Sequence, residues 1–335
     1  MLKHTILISS VLVILAFIGL WALPKPDVIL SISAQSETVE YQVIDSSAAS
    51  IMMHNVLLID GNSDPFEIAK PPTCLRGRLL PEAGINVRYR RGSDGSIGIS
   101  FSSENEVIRA AHFESESGDV VSLSTLDQLY LNPRNEACPA KLPDALPIRG
   151  QGNIGTLRTF GSGLEMEPGD LIGGQVRVTA KAVERVFFIF KGARGLYDAG
   201  VVNLPAGSML RSERRNADNK SSLPWIGAAR ILDENGITGF QIDVSTDSDT
   251  VWLYRSGQGE TDGKPDPIGA SAFVSQTRDP GIIRMQVLLA LILIIFQTVA
   301  SVMQTAEPNN SALKVKSSKP DKKARANKPE KTKND

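Results

Sequence analysis

Two uninterrupted apolar stretches bracket the chain and constrain everything between them. The first runs from Thr5 to Leu23 (TILISSVLVILAFIGLWAL) and the second from Met285 to Met303 (MQVLLALILIIFQTVASVM). Neither contains a charge. Each has close to the roughly 20 residues that a helix needs to cross the hydrocarbon core of a bilayer. The pattern predicts two transmembrane α-helices, with the residues between them held on one side of the membrane.

Orientation follows from the distribution of lysine and arginine near the spans. Lys3 precedes the first. Beyond the second, the tail from Thr305 carries nine basic residues against four acidic ones, a net of +5 in a chain whose total is −1. Residues 4–304 therefore sum to −7. Lys25, Arg278 and Arg284 on the outer flanks weaken this bias without reversing it. Both termini are expected in the cytoplasm and the acidic middle outside it. A cleaved signal peptide is the rival reading of the first stretch. Its apolar core is long for that role, and Leu20-Trp-Ala-Leu-Pro24 is a poor cleavage sequence. Trp21 there suits a membrane-interface anchor.

The chain divides accordingly into a cytoplasmic start (1–4), a first span (5–23), an extracytoplasmic stretch, a second span (285–303) and a basic tail (304–335). After Ala306 the tail lacks aromatics and is rich in Lys, Ser, Pro and Asn, a composition expected to stay disordered. The expected location is a bacterial inner membrane with the central part in the periplasm. The only cysteines are Cys74 and Cys138. An even pair in an exported domain reads as a disulfide, against the alternative of two buried thiols.

The middle reads as strands separated by turns. Val28–Ala34 and Val39–Ile44 alternate apolar and polar residues, suggesting a hairpin. Ile51–Ile59 follows as another strand. Val87–Arg90 and Ser96–Phe101 flank Asp94-Gly95, and Ile226–Leu232 and Ile237–Val244 flank Asn235-Gly236; both dipeptides are hairpin-turn sequences. Gln175–Ala180, Val186–Phe190 and Val251–Tyr254 are further strands. Helical signals are few. Ser103-Glu-Asn-Glu106 resembles a capping box before Val107–Phe113, and Ser124 is placed to cap a short helix through Leu131. The fold class is mainly β: one or two β-sandwich-like extracytoplasmic domains between the two spans. Three prolines in Cys138–Pro147 mark a division, giving domains over 24–145 and 146–284.

Chemistry is thinly signalled. Gly150-Gln-Gly-Asn-Ile-Gly155 has the spacing of a dinucleotide fingerprint, but Pro147 precedes it and no helical face follows, so it reads as a glycine turn. Of the three histidines His4 borders the first span, which leaves His54 and His112 between the spans, and no GxSxG elbow supports a serine hydrolase. His112, Glu114, Glu116 and Asp119 form an incomplete cation pattern better read as a solvated loop. Neither a catalytic set nor a cofactor or metal is expected. Trp225, Trp252 and Tyr254 are candidates for stacking on a sugar ring, with a core role as the alternative. Gln297 in the second span is expected to bond Ser9 or Ser10 of the first, with another subunit or protein as the alternative partner, because an amide in hydrocarbon seeks a partner. The tail lysines suit anionic lipid rather than nucleic acid, since no aromatics interleave them. The expected partners are the lipid bilayer and another membrane or periplasmic protein, with a glycan as the alternative ligand.

Overall fold

A computed structural model describes residues 27–59, 73–103, 109–156, 171–182, 185–186, 190–191, 195–212, 224–234, 237–255, 264–269 and 277–306. The first apolar stretch, 5–23, and the tail after Ala306 lie outside them. The first half holds β1 (Val28–Ser36), β2 (Thr38–Val43), β3 (Ile51–Ile59), β4 (Thr73–Pro81), β5 (Asn86–Arg91), β6 (Ile97–Ser102), β7 (Ala111–Ser115), β8 (Val120–Leu123) and β9 (Gln128–Leu131). The second holds β10 (Ala145–Ile154), β11 (Leu171–Lys181), β12 (Arg185–Val186), β13 (Phe190–Lys191), β14 (Leu196–Leu204), β15 (Met209–Ser212), β16 (Trp225–Glu234), β17 (Ile237–Thr246), β18 (Thr250–Tyr254) and β19 (Asp266–Gly269). One helix, α1 (Pro280–Ala306), ends the described chain.

Alternation explains most of these strands. In β1 every second residue from Val28 is buried, which turns Leu30, Ile32 and Ala34 to one face. Fully burying a leucine or isoleucine side chain is worth about 1.5–3 kcal/mol. The buried residues of both halves merge into one hydrophobic cluster. Among the described residues, seventeen strands join in one antiparallel pairing network. Its order runs β14–β11–β1–β17–β16–β10–β2–β5–β6–β9–β3–β4–β7–β8, with β15, β18 and β19 branching from β10.

β1 and β2 do not form the expected hairpin. β1 pairs with β11 and β17, whereas β2 pairs with β10 and β5. Only Glu37 separates them, and the commonest short hairpin loops take two residues. The chain instead bends and continues into a new set of neighbours, as strands do at the corners of packed sheets. The Ser36 hydroxyl donates to the Thr38 carbonyl at 2.8 Å and fixes the bend.

Within the described residues neither expected short helix forms, and residues 104–108 of the first lie outside them. Ala111–Phe113 belong to β7, bonded to β4 and β8, with Ala111 and Phe113 buried and His112 half-exposed. Ser124 donates from its amide and hydroxyl to the Asp127 carboxylate at 2.7 and 2.8 Å, closing a turn that leads into β9. Here strand pairing outweighs a weak local capping signal. Val186–Phe190 is not one strand either, because Val186 pairs with Phe190 across the β12–β13 hairpin.

The β5–β6 hairpin is present, with Arg91 opposite Ile97 and only Gly95 of the Asp-Gly pair at positive φ. The β16–β17 hairpin has Glu234 opposite Ile237, flanking Asn235-Gly236 as expected. β10 begins at Ala145, where the sequence marks a division, and pairs with strands of both halves. Ala145–Gly150 bond β16 and Gly150–Ile154 bond β2. Pro147 is tolerated because that part of β10 bonds a neighbour on one side alone.

The segment before β10 is fastened to β3 and β4. The sulfurs of Cys74 and Cys138 lie at disulfide distance, 2.18 Å, with Cα atoms 5.8 Å apart. Asn55, at φ 58° in a bulge of β3, donates its side-chain amide to the Pro139 carbonyl at 3.0 Å. His54 bridges to Lys141 one step on.

α1 covers the second apolar stretch and is long and apolar enough to cross a membrane. Asp279 caps it, accepting from the Gly281 amide at 2.7 Å.

Candidate functional site

A cleft of about 800 Å³ lies on the outer face of β5, β6 and β9. Register builds it. Arg90 of β5 stands opposite Gly98 of β6, which stands opposite Tyr130 of β9. The next row is Arg88, Ser100 and Gln128. Because side chains alternate between faces, the residues between these turn inward: Val87, Tyr89, Ile97, Ile99 and Leu129 are all buried. Gly98 has no side chain, so the floor stays open between Arg90 and Tyr130. Glu37, Ile172 and Thr238 close the cleft from the other side.

Its polar groups are held in place. The Arg88 guanidinium donates from Nε and Nη2 to Glu40 Oε2 at 2.9 and 2.7 Å. Asp94 accepts from the Ser96 hydroxyl at 2.5 Å and the Ser96 amide at 3.0 Å. Its other oxygen accepts from the Tyr130 hydroxyl at 2.9 Å. The Ser96 hydroxyl bond, aided by the others, holds the Asp94 carboxyl below the usual carboxylate range. Buried Arg91 donates from Nη1 to the Gly95 carbonyl and ties the hairpin loop down. The result is a polar surface with guanidinium donors, carboxylate acceptors and one aromatic ring. Such a surface suits recognition of a hydroxyl- or charge-bearing ligand.

The histidines stand in other clusters. His112 Nε2 is 2.7 Å from Glu82 Oε1, which Arg109 also approaches at 3.3 Å. His54 Nδ1 is 3.9 Å from Glu116 Oε1, which Arg76 holds at 2.9 Å. His112 and Glu116 thus have separate partners, and Asp119 accepts from Ser117.

The aromatic candidates separate. Trp225 is wholly buried, so its ring offers no face to a ligand. Trp252 and Tyr254 are half-buried and share one face of β18, where Trp252 stands opposite Arg211 and Pro267. Gln297 is exposed on α1; its expected partners Ser9 and Ser10 lie outside the described residues. Gly150 and Gly152 are in strand rather than a turn. A Cβ on Gly150 would meet the Gln42 carbonyl oxygen at 1.8 Å, and one on Gly152 the Glu40 oxygen at 2.0 Å. Glycine is there because β10 and β2 approach closely. Gly155, at φ 78°, supplies the turn after the strand.

The cleft was missed in the sequence because Arg88 and Arg90 read as the ordinary polar face of a strand. The signal that finds them is their alternation with Val87 and Tyr89, but only register brings Tyr130 and Gln128 alongside. The chain matches no protein-family model, no curated protein and no solved structure.

Proposed function

We propose that this is a two-span membrane protein whose β-rich domain, on the periplasmic side of a bacterial inner membrane, assembles with or regulates another envelope complex without catalysis. The observation that carries this reading is α1. Leu291, Ile294, Ile295 and Phe296 on it are each more than half exposed, a surface that water does not tolerate and lipid or another helix covers. The acidic balance outside the tail, against the basic tail itself, supports a domain on the opposite side from the termini. Cross-linking of tagged protein in native membranes, followed by detergent extraction and mass spectrometry, tests it. One dominant, stoichiometric membrane partner is the expected result. Recovery of the chain alone, under conditions that retrieve a known complex, contradicts it.

A second reading, a membrane-anchored glycan- or ligand-binding module, draws on the cleft. Arg90, Tyr130 and Gln128 offer a stacking ring beside hydrogen-bond donors, a combination that suits sugar rings. Retention on immobilised envelope polysaccharide, lost in Tyr130→Ala, is expected under this reading. Equal retention of wild type and variant counts against it.

A further inference from the structure

Both routes by which the chain leaves the β body lie at one corner of it. Val28, the first residue of β1, pairs with Ala180 of β11, and Ala180 pairs with Tyr197 of β14. The Lys181 amide donates to the Asp27 carbonyl at 2.9 Å, and Lys181 stands opposite Leu196. With strands about 4.8 Å apart, the start of β1 is roughly 10 Å from β14. The other end of the body reaches the same strand. Arg278 donates from Nη1 to the Ala199 carbonyl at 3.1 Å, two residues along β14 from Tyr197.

Both connections are short. Four residues, 24–27, join the first apolar stretch to Val28, a reach of at most about 14 Å. At the other end Ile282 and Met285 are themselves buried, at 1% and 4% exposure. The apolar run therefore begins where the last buried side chain ends, with no linker between. The zone flanking the hydrocarbon on each side is about 6 Å thick; Arg284, next to the second span, falls in it, and residues 24–27 keep the start of β1 within about 14 Å of the first span.

The corner's side chains fit that zone. Leu196 is 61% exposed, and Lys181, Arg278 and Arg284 are exposed around the two exits. Long cationic side chains place their charge among phosphates while their stems cover apolar surface. We infer that the corner formed by Lys181, Leu196 and Arg278 rests in the phospholipid headgroup layer and fixes which face of the β body looks away from the membrane. The inference rests on the membrane-spanning reading above.

The test uses the full chain reconstituted into vesicles of phosphatidylethanolamine and phosphatidylglycerol. Single added cysteines at Leu196→Cys, Val120→Cys and Ile294→Cys carry a fluorophore, and nitroxide lipids quench it. Val120 is the control, equally exposed but on β8 at the far end of the strand order. Headgroup nitroxides are expected to quench the Leu196 label several-fold more than the Val120 label, and acyl-chain nitroxides to quench the Ile294 label. Lys181→Cys, directly opposite, reads the same plane if Leu196→Cys fails to fold. Quenching at Ile294 with none at Leu196 or Lys181 beyond the Val120 level overturns the inference and leaves the span intact. Absence of quenching at Ile294 overturns both.

Discussion

At the scale of single residues, two features fix the junction of the halves. Tyr41 and Tyr89 are fully buried with hydroxyls 2.8 Å apart. Tyr89 donates its single proton to the Pro147 carbonyl at 3.1 Å, so Tyr41 donates to Tyr89. Burial pushes the Tyr41 hydroxyl up to about 12, and Tyr89 well above its ordinary value. A raised folded-state pKa contributes stability that is present below the unfolded value near 10 and is lost as pH rises through the folded value. Urea unfolding should therefore show a fall in stability between pH 10 and 12. Tyr41→Phe should shrink that fall while costing about 1 kcal/mol at neutral pH, the worth of one hydrogen bond. The second feature is Gly150. Gly150→Ala drives a Cβ into the Gln42 backbone, and a loss of about 3 kcal/mol or more is expected in thermal or chemical denaturation. Tolerance of alanine there would mean that β10 and β2 are further apart.

At the scale of elements, alternation made β1, β3, β5, β6, β11 and β18 legible in the sequence, because a strand with one buried face writes its period into the residues. Pairing was less legible. Asn235-Gly236 announced its hairpin, since a two-residue loop is a local event. The bend at Glu37 was read as a reversal, because alternation says nothing about which way the next strand runs. The segments of β7 and β9 carry helix-like signals in the sequence for a related reason: their partners are distant in sequence, and serine near an acidic residue caps turns and helices alike. The cleft has the same origin. Arg88, Arg90 and Tyr130 meet only through register. Asp94 anchors Tyr130, and its lowered carboxyl pKa contributes stability present above the ordinary carboxylate range and lost as pH falls through the lowered value. Asp94→Ala should flatten the acid limb of a stability profile and loosen the Tyr130 ring, read by its fluorescence anisotropy or NMR line width. An unchanged acid limb would place the acid sensitivity in other carboxylates. The Cys74–Cys138 pair closes a separation of 64 residues. Replacing both by alanine should cost about 4 kcal/mol in the chain-entropy view, and mass spectrometry without reductant should show the crosslinked peptide pair.

At the scale of the whole molecule, two apolar stretches and a basic tail are the features a reader of the sequence sees first, and the membrane reading rests on them. α1 agrees with the second stretch in position and in exposed apolar surface. The most direct test of the central claim is protease protection in membrane vesicles of both orientations, with tags at the N-terminus and after Asp335. The account predicts that both tags are removed from inside-out vesicles alone, while residues 24–284 are cleaved from right-side-out vesicles alone. Tags removed from opposite faces would leave an odd number of spans and contradict the account.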